Sequence, residues 1–328
     1  MKIWHSDYQL IPVGAASSGG KIPFRKGSLL RIDFGDSKVG YADLCPFSAF
    51  GDAPLEVQLG NLQNEKYSNL IQSSLDCALM DAEARLAGQS LYTESRIKNH
   101  FLITDLVNFD LNRIPVLQGQ RYTDFKIKLG RNIMMETEML RALTEKLSSD
   151  SRIRLDFNHQ MSISSFGDWL ESNADWLKPC TEFIEDPFKY SVKEWKAIYE
   201  DYQIPLALDF FDESKVDDLS SAQVLVIKPA LQDSSKLTKM LGDHKPNVVF
   251  THYMDFPVGQ MFALISAQRF QKESDLKVLS CGLQSQEVYE SFQFQDLIRN
   301  DGPYVVPPEG KGLGFDLALE RQEWRSLT

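Results

Sequence analysis

At 328 residues the chain has room for one large barrel or two domains, and a composition of 43% hydrophobic and 25% charged residues is that of a globular protein with a sizeable core. The net charge of −11 argues against nucleic acid or an anionic membrane as the main partner, while leaving room for a local basic pocket. No apolar run approaches the roughly 20 residues needed to cross a bilayer, so no membrane partner is expected.

The N-terminal stretch "MKIWHSDYQLIPVG" alternates like a strand and lacks the unbroken apolar core of a signal peptide. With "GSLLRIDFG" and "VGYADLCP", joined by the turn "DSK", it predicts a β-meander over residues 1–50. Two glycine-containing loops, "GAASSGGKIPF" (14–24) and "PFSAFGDAP" (46–54), lie within and after this meander. A helix follows at "SNLIQSSLDCALMDAEARLAG", with Gly88 as its stop signal. From about residue 113 short apolar strands alternate with amphipathic helices. The strands read "RIPVLQ", "FKIKLG", "RIRLDFN", "EFIEDP", "PLALDF", "VLVIKPA", "VVFTHY" and "KVLSCG". Helical spacing marks "METEMLRALTEKLS", "SFGDWLESNADWL", "SVKEWKAIYEDY", "SKLTKMLGDH" and "VGQMFALISAQRF" between them. Eight such units predict an α/β fold built on a closed parallel barrel. A doubly wound open sheet is the alternative, weakened because no GxGxxG follows any strand. Too few residues separate "RIPVLQ" from "FKIKLG" to hold a crossover helix. Either the first barrel helix is deleted or the first strand is misassigned. The four cysteines are scattered without a CxxC, which suits free thiols in a reducing cytoplasm. The five histidines show no HxxxH spacing, which argues against a zinc hydrolase.

In "FKIKLG", Lys126 and Lys128 point to one face because strand side chains alternate. An edge strand with a solvated charged face would explain them, and so would a barrel wall facing a pocket. Barrel active sites gather at the C-terminal ends of strands. There the sequence places Asp156, Glu185 and Asp209 on the third, fourth and fifth strands, with Lys228 on the sixth. Singly, such an aspartate is a helix N-cap and Lys228, before Pro229, a solvated loop residue. Jointly, three converging carboxylates call for a hard divalent cation, Mg²⁺ with Mn²⁺ as a substitute, and the flanking lysines face each other across it. Arg154 shares the strand face of Asp156 and is expected to support the metal carboxylates or to contact substrate.

The order "KIK" (126–128), "DFN" (156–158), "EDP" (185–187), "ALD" (207–209) and "IKP" (227–229) resembles the enolase superfamily, specifically its muconate lactonizing enzyme subgroup. The meander, "SLDCALMDAEARLAG" and "GKGLGFDL" (310–317) resemble that family's capping domain, so the likeness spans essentially the whole chain. It implies a modified (β/α)7β TIM-type barrel over residues 98–299, its first helix deleted, with an α+β capping domain from 1–97 and 300–328. It implies catalytic roles for Lys126, Lys128 and Lys228, and Asp156, Glu185 and Asp209 as metal ligands. In the family an acid follows the fifth-strand aspartate, whereas here Phe210 does. Asp209 is therefore favoured by strand register, with Asp212 as the alternative ligand. The seventh strand, "FTHYMDFPVG", resembles the family's loop for a distal substrate carboxylate, so Thr251 and Gly259 are substrate-binding candidates, together with Gly282, Arg154 and Asn158. His252 is either a second base or, the favoured reading, a packing residue.

The eighth strand ends "LSCGLQSQ" without an acid, which disfavours dipeptide epimerisation. The loops and "RLDFN" most resemble the o-succinylbenzoate synthase family. That resemblance implies syn dehydration of 2-succinyl-6-hydroxy-2,4-cyclohexadiene-1-carboxylate, with Lys128 as acid/base and Lys228 holding the opposite ring face. An N-acylamino acid racemase, another cycloisomerase, and an inactive barrel acting as a binding protein remain as alternatives. A cytoplasmic monomer acting on a small carboxylate is expected, with the loops at 14–24 and 46–54 covering the barrel mouth.

Overall fold

The computed structural model describes all residues except 14–23, 210, 212–217, 285–288 and 291–293, and the side chains of residues 235 and 238. The N-terminal meander forms as β1 (Lys2–Leu10), β2 (Arg25–Asp33) and β3 (Val39–Leu44), paired antiparallel in that order. The "DSK" turn is tight because Asp36 and Ser37 take left-handed backbone angles, φ 51° and 62°. Two helices follow, α1 (Leu55–Gln63) and α2 (Asn69–Leu86). Ser68 caps α2 by accepting from Ile71 N–H at 3.3 Å. The helix lies so close on β3 that a Cβ on Gly40 would stand 2.7 Å from the backbone nitrogen of Ala82.

The parallel sheet begins at β4 (Phe101–Ile103), continues through α3 (Arg113–Gly119) to β5 (Asp124–Lys128), and so on through α4 (Ile133–Thr144), β6 (Arg152–Asp156), α5 (Ile163–Leu177) and β7 (Thr181–Glu185). After α6 (Val192–Tyr202) come β8 (Leu206–Leu208), β9 (Val224–Ile227), α7 (Ser234–Leu241), β10 (Asn247–Phe250) and α8 (Pro257–Glu273). All seven strands pair in parallel in chain order. The predicted eighth strand is a run of bridges rather than a regular strand, and it closes the sheet on itself. Gly282 N–H donates to Phe250 C=O at 2.8 Å on one side, and His100 N–H donates to Cys281 C=O at 2.9 Å on the other. The barrel expected from the sequence is therefore present.

Its first unit differs from expectation. "RIPVLQ" is the helix α3, not a strand, and the first strand is the three-residue "FLI" of β4, paired with Phe125–Ile127. No helix is deleted. Pro115 argues against a strand interior and sits in the first turn of α3, where a missing N–H is harmless.

The chain ends in the hairpin β11 (Arg299–Asp301) and β12 (Tyr304–Val306), a short helix α9 (Asp316–Glu320), and β13 (Arg325–Ser326), which joins the meander beside β1. Among the described residues no helix is long and apolar enough to cross a membrane.

Two contacts fasten the meander to the loop after β10. Arg25 is buried; its guanidinium donates to the carbonyls of Tyr253 at 2.7 Å and of Met254, and to Cys45 C=O at 2.7 Å. Asp43 accepts from Tyr8 Oη and, at 2.9 Å, from Phe256 N–H. Burial, and then the nearby Asp255 charge, push the Asp43 carboxyl up to about 8. The folded state therefore holds a proton that an unfolded aspartate releases above roughly pH 4. That stabilisation is complete below about pH 4 and is lost as the pH rises through about 8. Asp43→Asn should flatten the fall in unfolding temperature between pH 5 and 8 relative to the parent, measured by circular dichroism. Parallel slopes for the two proteins would show that Asp43 is already ionised in the fold.

Candidate active site

The barrel interior is divided. One side is apolar, formed by Phe183, Ala207, Val224, Val226, Val249 and Leu279. The other carries charge from β5 and β6, including Lys126 and Arg154, both buried. Parallel pairing sets the site residues side by side: Lys128 opposite Asp156, Asp156 opposite Glu185, and Glu185 opposite Ala207, two residues before Asp209. The ladder continues past the strand ends, with Leu129 N–H on Asp156 C=O, Phe157 N–H on Glu185 C=O and Asp186 N–H on Ala207 C=O. This extra turn of pairing fixes the carboxylates at the barrel rim.

Lys126 Nζ lies 2.6 Å from Glu185 Oε1 and 2.8 Å from Asp156 Oδ2. Lys128 Nζ lies 2.6 Å from the same Asp156 oxygen and 3.4 Å from Asn158 Oδ1. Asn158 in turn donates to Asp156 Oδ1 at 2.7 Å. Lys228, after β9, pairs with Asp209. The two lysines of "FKIKLG" thus face the pocket and its anions, not solvent. Burial works against the charge on Lys126, but Asp156, Glu185 and Asp209 outweigh it and raise its pKa. Burial likewise opposes the charge on Asp156, and Lys126 with Lys128 outweigh it in the other direction, holding that carboxyl far below its usual range. Glu185 is pushed up to about 8, by burial first and then by Asp156. Asn158, His159 and Asp186 adopt left-handed angles of 44°, 58° and 42° at this rim. Three such residues together concentrate backbone strain of about 1 kcal/mol or more each where the chemistry would sit.

The donor set of Asp156, Glu185 and Asp209 is all hard oxygen on adjacent strand ends, which fits Mg²⁺ or Mn²⁺ in kind. Their oxygens are turned onto lysines. Among the described residues no three acidic, histidine or cysteine side chains close on one point at metal-binding distance. The alternative ligand Asp212 lies outside the described residues, as does Phe210.

Other candidates are placed differently from expectation. Arg154 is fully buried below the rim and does not hydrogen-bond Asp156 among the described contacts. Its Nε lies 2.7 Å from Glu182 and its Nη1 2.9 Å from His100 Nδ1, and it stacks over Phe183. Gly259 was expected to leave a helix N-terminus open to a substrate carboxylate. That position is taken by the protein's own carboxyls: a Cβ there would lie 2.7 Å from Asp255 Cγ and 2.9 Å from Asp43 Oδ2. Thr251 and Gly282 pair across the closing seam at the rim. His252 is buried with Nδ1 3.6 Å from Asp255 Oδ1, in keeping with a packing role. The loop 46–54 packs on the loop after β10, where Asp52 accepts from Tyr253 Oη at 3.0 Å; residues 14–23 of the other loop lie outside the described set. Sequence reasoning missed His100, because the first strand was placed after it. The run "HFLI" was the available signal.

Two solved structures share this architecture over nearly their whole length. N-succinyl Arg/Lys racemase from Bacillus cereus superposes with a TM-score of 0.78 at 16% identity, covering 99% of each chain. Muconate lactonizing enzyme from Pseudomonas putida gives 0.75 at 12% identity, covering 98% of this chain and 99% of its own. At these identities the likeness is one of fold, and it defines the class: a parallel barrel with an antiparallel cap, the architecture of those two proteins. Sequence narrows the class further. Residues 3–84 match the model of the o-succinylbenzoate synthase N-terminal domain. An o-succinylbenzoate synthase from Bdellovibrio bacteriovorus is 30% identical over 330 residues, spanning 100% of this chain and 99% of that protein. The chain belongs to the o-succinylbenzoate synthase family.

Removing the Lys126 ammonium should leave Glu185 without its cation beside Asp156, which keeps Lys128 at 2.6 Å. Breaking a buried ion pair in this way costs about 3–5 kcal/mol. Lys126→Met should therefore lower the unfolding temperature in chelator-treated buffer, and added Mg²⁺ should recover a larger share of it than the parent gains. Scanning fluorimetry with and without Mg²⁺ reads both; an unchanged melting temperature would show that Lys126 is not the charge that holds the pair.

Proposed function

We propose that the protein is a metal-assisted dehydratase converting 2-succinyl-6-hydroxy-2,4-cyclohexadiene-1-carboxylate to o-succinylbenzoate, a step of menaquinone biosynthesis. The observation that carries the reading is that Lys128 and Lys228 each engage a rim carboxylate from different strands, in a chain of this family. Asp156, Glu185 and Asp209 would hold the cation, Mg²⁺ by their oxygen chemistry, with Mn²⁺ as a substitute. When bound, it supplies positive charge against the substrate carboxylate.

The remaining steps belong to the chain's own residues. Lys128 Nζ removes the proton α to the carboxylate and then delivers it to the departing ring hydroxyl, so the two leave as one molecule of water and the ring becomes aromatic. Lys126, held protonated by its three acidic neighbours, keeps a fixed positive charge beside the developing enediolate. Lys228 faces the opposite side of the ring and holds it by its ammonium charge. Asn158 orients Asp156 and Lys128 together.

The paired lysines also support a second reading, racemisation of N-succinylamino acids, which needs one base on each face. The proposed division of the chain is a cap of residues 1–97 with 300–328 around a barrel of 98–299. A cytoplasmic monomer acting on a small carboxylate, without nucleic-acid or membrane partners, completes the proposal, and the net charge of −11 supports the exclusion of nucleic acid.

Lys128→Ala should reduce dehydration about a thousandfold or more, as loss of a positioned acid/base does. Lys228→Arg keeps the charge but cannot exchange a proton, so it should retain measurable dehydration while losing any racemisation. Both are read by parallel turnover assays with the cyclohexadiene and with N-succinylamino acids. Efficient racemisation by the parent without dehydration would reverse the choice between the two readings.

A further inference from the structure

The three rim acids stand on strands of unequal support. Asp156 and Glu185 close β6 and β7, each a strand of five residues. Asp209 lies just beyond β8, which has three residues and pairs with β7 through Leu206 and Ala207 and with β9 through Ala207 and Leu208. Asp209 itself belongs to neither ladder. An acid one residue past so short a strand needs another anchor before its oxygens can hold a fixed place beside the other two.

Asp186 provides one. Its N–H donates to Ala207 C=O at 3.0 Å. In a regular parallel ladder the Asp186 carbonyl would next accept from Asp209 N–H. Here Asp186 takes a left-handed angle, φ 42°, and its carbonyl accepts instead from His159 N–H at 2.7 Å, on the loop after β6. The Asp186 side chain fills the place its carbonyl has left: Oδ1 accepts from Asp209 N–H at 3.3 Å. His159 Nε2 lies 3.4 Å from the same oxygen. The carboxylate is buried, and among the described residues no lysine or arginine pairs with it. One residue thus ties together the ends of β6, β7 and β8, the three strands that bring the rim acids to one side of the barrel. The strained angle at Asp186 is what frees its side chain for β8 while its main chain serves β6.

We infer that Asp186 is a positioning residue for the cation site: by accepting from Asp209 N–H, its carboxylate fixes where the Asp209 side chain stands relative to Asp156 and Glu185, without itself touching the cation. The inference rests on the reading of these three acids as the cation's ligands, whichever reaction they serve.

The test titrates Mg²⁺ calorimetrically into chelator-stripped protein without substrate, with circular dichroism at the same temperature to show that each variant is folded. Asp186→Gly relaxes the left-handed angle and removes the acceptor. It should weaken Mg²⁺ about tenfold or more, as loss of a group supporting a metal ligand does. Asp186→Asn keeps an acceptor oxygen at the same reach without the charge, and should stay within about threefold of the parent. Asp186→Glu keeps the charge but moves the acceptor by one methylene; it should repeat the loss and serves if the glycine variant does not fold. Unchanged affinity in the glycine or glutamate variant would show that Asp209 is held without this contact and would overturn the inference. An asparagine variant as weak as the glycine one would also overturn it, because charge and not the hydrogen bond would then be at work. If Asp209→Asn binds Mg²⁺ as tightly as the parent, the ligand reading beneath the inference fails. The expected order of Mg²⁺ affinities in a parent that does not dehydrate the cyclohexadiene would uphold the positioning role and overturn the dehydratase reading alone.

Discussion

One ammonium group holds the site together. Lys126 sits between Asp156 and Glu185 in an interior from which water is excluded, and the three side chains come from three neighbouring strands. Their geometry follows directly from parallel register, because a one-residue slip of β5 would turn Lys126 and Lys128 outward together. A buried ion pair is not by itself a source of stability, since desolvation offsets much of the attraction. What it enforces here is register and polarity: only one alignment of β5, β6 and β7 leaves no charge alone. The cost of gathering three acids in one place is thereby shared among lysines that chemistry at this rim can use.

The rest of the barrel is arranged around that demand. Apolar residues from β7 to the closing segment form an inner wall, while the other half is polar, with Arg154 bonded to His100 and Lys126 paired with Asp156 and Glu185. Strain is confined to the rim, at Asn158, His159 and Asp186, where polar side chains tolerate left-handed angles better than branched ones would. Carboxyls crowd again at the start of α8, where Gly259 gives Asp43 and Asp255 room to approach. This second acidic cluster belongs to the joint between the meander and the barrel, where burial and the Asp255 charge raise the Asp43 pKa.

Much of this was legible in the sequence, for a physical reason. Period-two alternation in "FKIKLG" and apolar runs ending in Asp, Glu or Lys mark strand ends, and strand ends in parallel barrels converge, so local pattern carried long-range information. It failed where an element was too short to show a period. The three residues of β4 have no alternation to detect, and the apolar residues of "RIPVLQ" are too few to show whether their period is that of a strand or a helix. Gly259 was misread for a different reason. A helix N-terminus attracts any anion, and nothing local reveals that a carboxyl more than two hundred positions earlier in the chain arrives there first. The His100 contact was invisible because its partner, Arg154, lies 54 residues on and reaches it across the barrel interior.

The guanidinium of Arg25 binds main-chain carbonyls of Tyr253 and Met254, just beyond Thr251. Because these partners are backbone atoms, the joint is indifferent to which side chains the loop carries. Drift in the loop's side chains is thus compatible with unchanged docking of the cap. The constraint falls instead on the other partner. A cap borrowed from a relative would need a donor that reaches all three carbonyls, as Arg25 does with Nη1 on Tyr253 and Met254 and Nη2 on Cys45, two separated nitrogens where lysine has one. The two halves of the molecule are therefore free to diverge in the loop's side chains but not to be exchanged as independent modules.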